Sequence, residues 1–328
     1  MTTHSSTHAA LGSLHKQNAS AFLFPGQGSQ SVGMLLELSK NFQEIIKTYH
    51  HASEVLGYDL WRLVQEGPDT LLNQTEKTQP ALLAAGVALF RVWQTKQVEM
   101  PIFMAGHSLG EYTALVCADS LDYAEAISLV ALRGELMQQA VPKGKGGMAA
   151  IVGLTDTQIL QICEQAAQDN VLSPANFNAI GQTVLAGEIS AIERAIALAK
   201  QAEAKIAKQI PVSVPSHCVL MKPAADQLAQ HIKKIAFQKP KIPVIHNVDV
   251  VSYEDTDSIR SALVRQLYHP VRWVETIQTL AKQGVSRFVE CGPGKVLAGL
   301  NKRIVPDLPI FSISSLESLE QALEKVSI

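Results

Sequence analysis

Two hydrophobic rhythms run along this 328-residue chain. The first is strand, turn, helix. Residues 21–24 form an apolar run that stops at Pro25-Gly26, which reads as a buried strand entering a loop. Helical spacing follows at roughly 35–50 and 80–95. Residues 101–105 read as a second strand ending at Gly106, and 111–118 and 124–140 as helices. This repetition predicts a mainly parallel sheet covered by helices, an α/β fold.

The rhythm changes after Gly144-Lys145-Gly146-Gly147. Residues 148–154 read as a strand, 155–168 as a helix, 171–176 and 182–187 as two strands, 190–203 as a helix and 204–212 as a last strand. The order β-α-β-β-α-β is that of a ferredoxin-like unit. It predicts a small inserted subdomain over 142–212, between Pro142 and Pro211, with 21–141 and 213–316 forming the large subdomain and 317–328 a C-terminal segment. The first pattern resumes with strands at 243–248 and 287–291, with helices between and after them.

Composition narrows the function classes. A net charge of −2 leaves no overall basic field for nucleic acid or an anionic membrane. The cysteines Cys117, Cys163, Cys218 and Cys291 are far apart, which argues against a zinc site and a disulfide framework and fits a reducing compartment. Residues 1–20 are polar and lack the apolar core of a signal peptide, so they read as a disordered tail. No apolar run reaches the length of a membrane span. The expectation is a soluble, cytoplasmic protein without a metal.

Gly106-His107-Ser108-Leu109-Gly110 fits G-x-S-x-G between a predicted strand and a predicted helix, the context in which that motif exposes a serine nucleophile. The Leu109 amide, just inside the helix, is placed to donate to an oxyanion. Ser108-x-x-Glu111 also reads as a capping box, the purely structural alternative. Gly26-Gln27-Gly28-Ser29-Gln30 follows the first strand, where a loop would reach the same sheet edge and offer a second donor. Ser31 stands where a dinucleotide fingerprint would need glycine. His217, in the loop where the insertion rejoins the main pattern, is the leading candidate base, with His50, His51, His246 and His269 still open. No aspartate stands out as a third triad member, which leaves a carbonyl or an amide to orient the imidazole. Arg133 shares a helix face with Leu129, Leu132 and Leu136 and has no acid one turn away. It is either a snorkelling arginine or a fork for a substrate carboxylate. Cys291-Gly292-Pro293-Gly294-Lys295 lacks the spacing of a phosphate loop and reads as structural punctuation.

Taken in order, GQGSQ at 26–30, GHSLGE at 106–111, Leu132-Arg133-Gly134, Pro215-Ser216-His217, Asn247-Val248-Asp249 and Gly292-Pro293-Gly294-Lys295 resemble the malonyl-CoA:acyl carrier protein transacylases of bacterial fatty acid synthesis, over about residues 20–316. The resemblance implies an α/β-hydrolase-like core with a ferredoxin-like insertion. It implies Ser108 as the acylated serine and His217 as its base, with the Gln27 and Leu109 amides as the oxyanion hole. It further implies Arg133 on the malonyl carboxylate, Met137 lining the acyl pocket and the Gln266 position orienting the histidine. Malonyl-CoA and acyl carrier protein are the implied partners, coenzyme A thioester being substrate rather than cofactor, and a monomer is expected. Ile180 departs from the family, whose sequences often carry proline there. An acidic carrier protein would meet a basic patch, for which Lys205, Lys208, Lys222, Lys295, Lys302 and Arg303 are candidates. The rival readings are an esterase or thioesterase on the same elbow, a transacylase for another carboxylated extender, and a non-catalytic carrier-binding module.

Overall fold

The computed structural model describes residues 19–212 and 214–326. Strand β1 (Ser20–Phe24) is buried along its whole length. Its alternate residues feed two cores: Phe22 and Phe24 pack into the larger cluster, Ala21 and Leu23 into the one on the opposite face. A strand covered on both faces has no reason to alternate polar with apolar, which explains the continuous apolar run. Phe22 meets Trp93 edge-on at 5.1 Å, which docks the helix Thr75–Gln94 on one face.

β1 pairs in parallel with β2 (Phe103–Gly106). The small sheet consists of β3 (Gly146–Val152), β4 (Leu172–Ala179), β5 (Gln182–Glu188) and β6 (Ile206–Gln209). β7 (Val244–Ile245), β8 (Arg287–Glu290) and β9 (Ile310–Ser312) complete the large one. Its order is β7-β2-β1-β8-β9, parallel throughout. The small sheet, order β4-β5-β3-β6, is antiparallel and carries helices Asp156–Ala167 and Ile189–Gln201 over its own core. The fold is thus α/β, with a parallel sheet plus an antiparallel one. The small sheet is tied through β4 to the segment that precedes helix Trp273–Lys282, because the Phe177 amide donates to the Val271 carbonyl at 3.0 Å and the Val271 amide to Ala175 at 2.9 Å.

Several boundaries differ from the sequence expectation. Ala19 and Ser20, assigned above to the tail, are buried, and Ser20 opens β1; residues 1–18 lie outside the described residues. The helix expected at 80–95 begins at Thr75 and runs through Pro80. Gly134 explains why this longer helix is favoured: a Cβ there would lie 2.6 Å from Glu76 Cα, so the Thr75 end packs directly on helix Tyr123–Ala140. The helix expected at 35–50 is two, Leu36–Ser39 and Gln43–Leu56. The C-terminal segment is a helix, Leu316–Val326, with Leu319, Ala322 and Val326 buried. Among the described residues no helix is long and apolar enough to cross a membrane.

Candidate active site

The turn after β2 is held by glycines that no other residue could replace without movement. A Cβ on Gly106 would fall 1.8 Å from the Gly110 carbonyl carbon, and one on Gly110 would fall 2.0 Å from the Phe24 oxygen. Between them Ser108 adopts φ 52°, a left-handed conformation costly for a side-chain-bearing residue. Helix Gly110–Cys117 starts at once, so the chain reverses sharply and leaves the serine hydroxyl projecting. Asn247 clamps the turn: its Oδ1 accepts from the Ser108 amide at 2.8 Å and its Nδ2 donates to the Gly106 carbonyl at 2.7 Å.

His217 reaches the serine from the loop after the small sheet, and its own φ is 63°. Its Nδ1 lies 2.7 Å from the Gln266 carbonyl oxygen, which can only accept. The proton is therefore on Nδ1, and Nε2 offers its lone pair to Ser108 Oγ at 2.8 Å. Burial, reinforced by the positive charge of Arg133, pushes the imidazole pKa down to about 3. The ring is thus a neutral base at ordinary pH. Of the other candidates, His246 is turned to Glu111. His269 lies behind His217 beside Tyr268, and His51 packs on Tyr123. His107 turns from Ser108 to Asn178, 2.7 Å away.

Arg133 is 1% exposed and is not a snorkelling residue. Nη1 donates to Gln79 Oε1 at 2.7 Å, and Nη2 to Gln266 Oε1 at 2.9 Å and to Ser108 Oγ at 3.3 Å. Its Nε is buried without a partner, and no carboxylate lies within ion-pair distance of the guanidinium among the described residues. Burial lowers its pKa. A cavity of about 120 Å³ joins these groups, lined by Ser108, His217, Arg133, Met137, Gln27 and Leu109 among others. Gln79 Nε2 lies 3.7 Å from Met137 Sδ, which fixes the thioether against the cavity wall. The Gln27 loop abuts the elbow, since a Cβ on Gly26 would sit 2.5 Å from the His107 oxygen. The amides of Gln27 and Leu109 donate to no acceptor among the described residues, which leaves both free for a ligand oxygen.

A serine–histidine pair beside a buried arginine that makes no ion pair among the described residues suits transfer of an acyl group bearing a carboxylate. Comparison with known proteins agrees. Residues 21–307 match the acyl transferase domain family. The malonyl CoA-acyl carrier protein transacylase of Salmonella typhimurium is 55% identical over 303 residues, covering 92% of this chain and 98% of that protein. The chain belongs to the malonyl CoA-acyl carrier protein transacylases. The transacylase structure from Coxiella burnetii superposes with a TM-score of 0.94 at 52% identity, covering 95% of this chain and 99% of that one. A malonyl-transacylase solved in complex with its type II PKS acyl-carrier protein superposes with a TM-score of 0.93 at 54% identity, covering 94% of this chain and 99% of that one.

In this transacylase the structure brings Ser108, His217, Arg133, Met137, Gln27, Leu109 and Gln266 into one site. It also adds residues that carry no site role in the sequence pattern. Gln79 is one, set beside Arg133 by the close helix packing at Gly134. Glu111 is another: Ser108 does not cap the helix through its side chain, and the Glu111 carboxylate turns inward to His246, Asn247 and Gln266 instead. An arginine on an apolar helix face with no acid one turn away was the available signal that its partners come from elsewhere in the fold. The Gly292 loop packs on Pro25, and Glu290 accepts the Leu297 and Ala298 amides at 2.9 Å each, in keeping with a structural role for that segment. Of the basic candidates, Lys222 is paired with Asp226 and Arg303 with Gln182, while Lys205, Lys208 and Arg303 border one groove of about 790 Å³.

Proposed function

We propose that this enzyme moves a malonyl group from malonyl-CoA to the phosphopantetheine thiol of acyl carrier protein through an ester on Ser108. The observation that carries the reading is Arg133, a buried guanidinium facing amide oxygens and the nucleophile but no acid. A malonyl carboxylate supplies the missing charge, whereas acetyl leaves it unpaired.

Ser108 Oγ attacks the thioester carbonyl while His217 Nε2 takes its proton. The oxyanion forms against the Gln27 and Leu109 amides, each donor of this kind being worth about 2.7–4 kcal/mol of barrier. The carbon–sulfur bond breaks, and the thiolate of coenzyme A leaves with the proton from His217. The carrier thiol then gives its proton to His217 and attacks the ester carbonyl; the bond between Ser108 Oγ and the acyl carbon breaks, and His217 returns the proton to Ser108 Oγ. No cofactor enters either half. The small sheet's order and its β-α-β-β-α-β connectivity support the description of 142–212 as a ferredoxin-like insertion in an α/β-hydrolase-like core of 21–141 and 213–316. We take the enzyme to work as a cytoplasmic monomer.

The test is intact mass after brief mixing with malonyl-CoA and an acid quench. One malonyl adduct is expected on the wild type, none on Ser108→Ala, and little adduct with acetyl-CoA. Rapid release of coenzyme A without an adduct would mean a hydrolase instead.

A further inference from the structure

Glu111 is fully buried one turn beyond the nucleophile. Its carboxylate takes three donors: His246 Nδ1 at 2.7 Å on Oε1, and the Asn247 amide at 2.9 Å and Gln266 Nε2 at 2.8 Å on Oε2. It does not line the acyl cavity, so its influence must pass through these partners.

The influence is clearest at Gln266. The side-chain nitrogen is spent on the Ser108 carbonyl at 3.0 Å and on Glu111, so only the amide oxygen is left for Arg133 Nη2, at 2.9 Å. Turned by half a rotation, the amide would aim N–H groups at a guanidinium that has nothing but donors. It would also lose the carboxylate and present its oxygen to two acceptors. Glu111 therefore decides which way the amide faces, and the amide fixes one arm of the arginine fork. The same carboxylate grips Asn247, whose side chain clamps the elbow.

We propose that Glu111 is a positioning residue that sets the preference for a carboxylated acyl group, by orienting Gln266 and through it Arg133. The proposal rests on the malonyl reading above. It is tested by measuring kcat/KM for acylation of Ser108 by malonyl-CoA and by acetyl-CoA in the wild type, Glu111→Gln, Arg133→Ala and the double variant. Glu111→Gln keeps the size and one acceptor but removes the charge. The malonyl-to-acetyl ratio should fall about tenfold, the worth of one hydrogen bond to a charged group. With Arg133 already removed, Glu111→Gln should leave the ratio unchanged. A role confined to holding the fold would slow both substrates alike; an unchanged ratio in the folded single variant, or additive effects in the double, overturns the proposal. If Glu111→Gln does not fold, Gln266→Met decides the matter: it removes the relay while Glu111 keeps His246 and Asn247, and an unchanged ratio again overturns the idea. A wild type that takes up no malonyl at all would instead remove the functional reading on which the proposal stands.

Discussion

Two buried histidines stand on either side of the same hydrogen-bond network, and they are held differently. His217 and His246 each use Nδ1 in a 2.7 Å contact. For His217 the acceptor is a backbone carbonyl, that of Gln266; for His246 it is the carboxylate of Glu111. The acid that many serine nucleophile sites place behind the base is thus present, but behind the other ring. The difference has a physical reason. A carbonyl fixes the tautomer of His217 without adding a charge, and the nearby Arg133 disfavours the imidazolium. His217 stays a neutral base, and the carboxylate is left to anchor the amides that hold the arginine and the elbow. One buried positive and one buried negative group are then linked through Gln266 rather than by direct contact.

The largest expected effect breaks the comparison at its catalytic end. His217→Ala should lower the rate of Ser108 acylation by about 10²–10⁴-fold, the usual share of a positioned general base. Stopped-time mass measurement of the malonyl adduct checks this. A loss smaller than tenfold would mean that His217 is not the base.

How far these roles were legible in the sequence depends on the distance over which each is encoded. β1, the elbow and the strands of the small antiparallel sheet were readable, because apolar runs, paired glycines and alternating periods are local signals. The strand expected at 243–248 is present but shorter, Val244–Ile245, while β9, three residues long, offered too little pattern. Pro80 hid the first turn of helix Thr75–Gln94, whose packing at Gly134 outweighs the lost hydrogen bond. Ile180 falls in the turn between β4 and β5, beside Gly181 at φ 69°, away from the residues around Ser108. Ser108 announced itself through its glycines, whereas His217 was one histidine among several until the resemblance singled it out. Gln79 and Glu111 carried no local signal of a site role: their partners lie 54 and 155 positions away, at Arg133 and Gln266, and a neutral amide or a helix-start glutamate looks ordinary until the chain folds.

An intermediate effect sharpens the electrostatic half of the comparison. Arg133→Met removes the charge that helps depress His217 but leaves the burial. The malonyl-to-acetyl preference should fall by about 10–100-fold, from loss of charged hydrogen bonds. The acidic limb of the acetyl-CoA acylation profile should also move to higher pH, because the imidazole pKa rises from about 3 towards its ordinary 6.5. The stability consequence has a definite sign. Between about 3 and 6.5 the unfolded chain binds a proton at His217 that the folded one refuses, so stability falls as pH falls through that window. Arg133→Met should narrow the window from below. An acidic limb that stays in place would show that Arg133 does not act on the base.

The smallest expected effect tests the other histidine. His246→Asn places an amide N–H near the position of Nδ1, so Glu111 retains a donor and keeps its bonds to Asn247 and Gln266. What is lost is ring packing against Tyr253, 5.3 Å away, and the fit of a fully buried side chain. A stability loss of about 1–3 kcal/mol is expected from such a core change, read by urea denaturation. Acylation should change by less than about tenfold, because no group that touches Ser108 has moved, and the acidic limb should stay where it is. If His246→Asn instead abolished acylation as His217→Ala does, the carboxylate-held ring would belong to the proton path. The separation between a catalytic histidine on a carbonyl and an anchoring histidine on an acid would then fail.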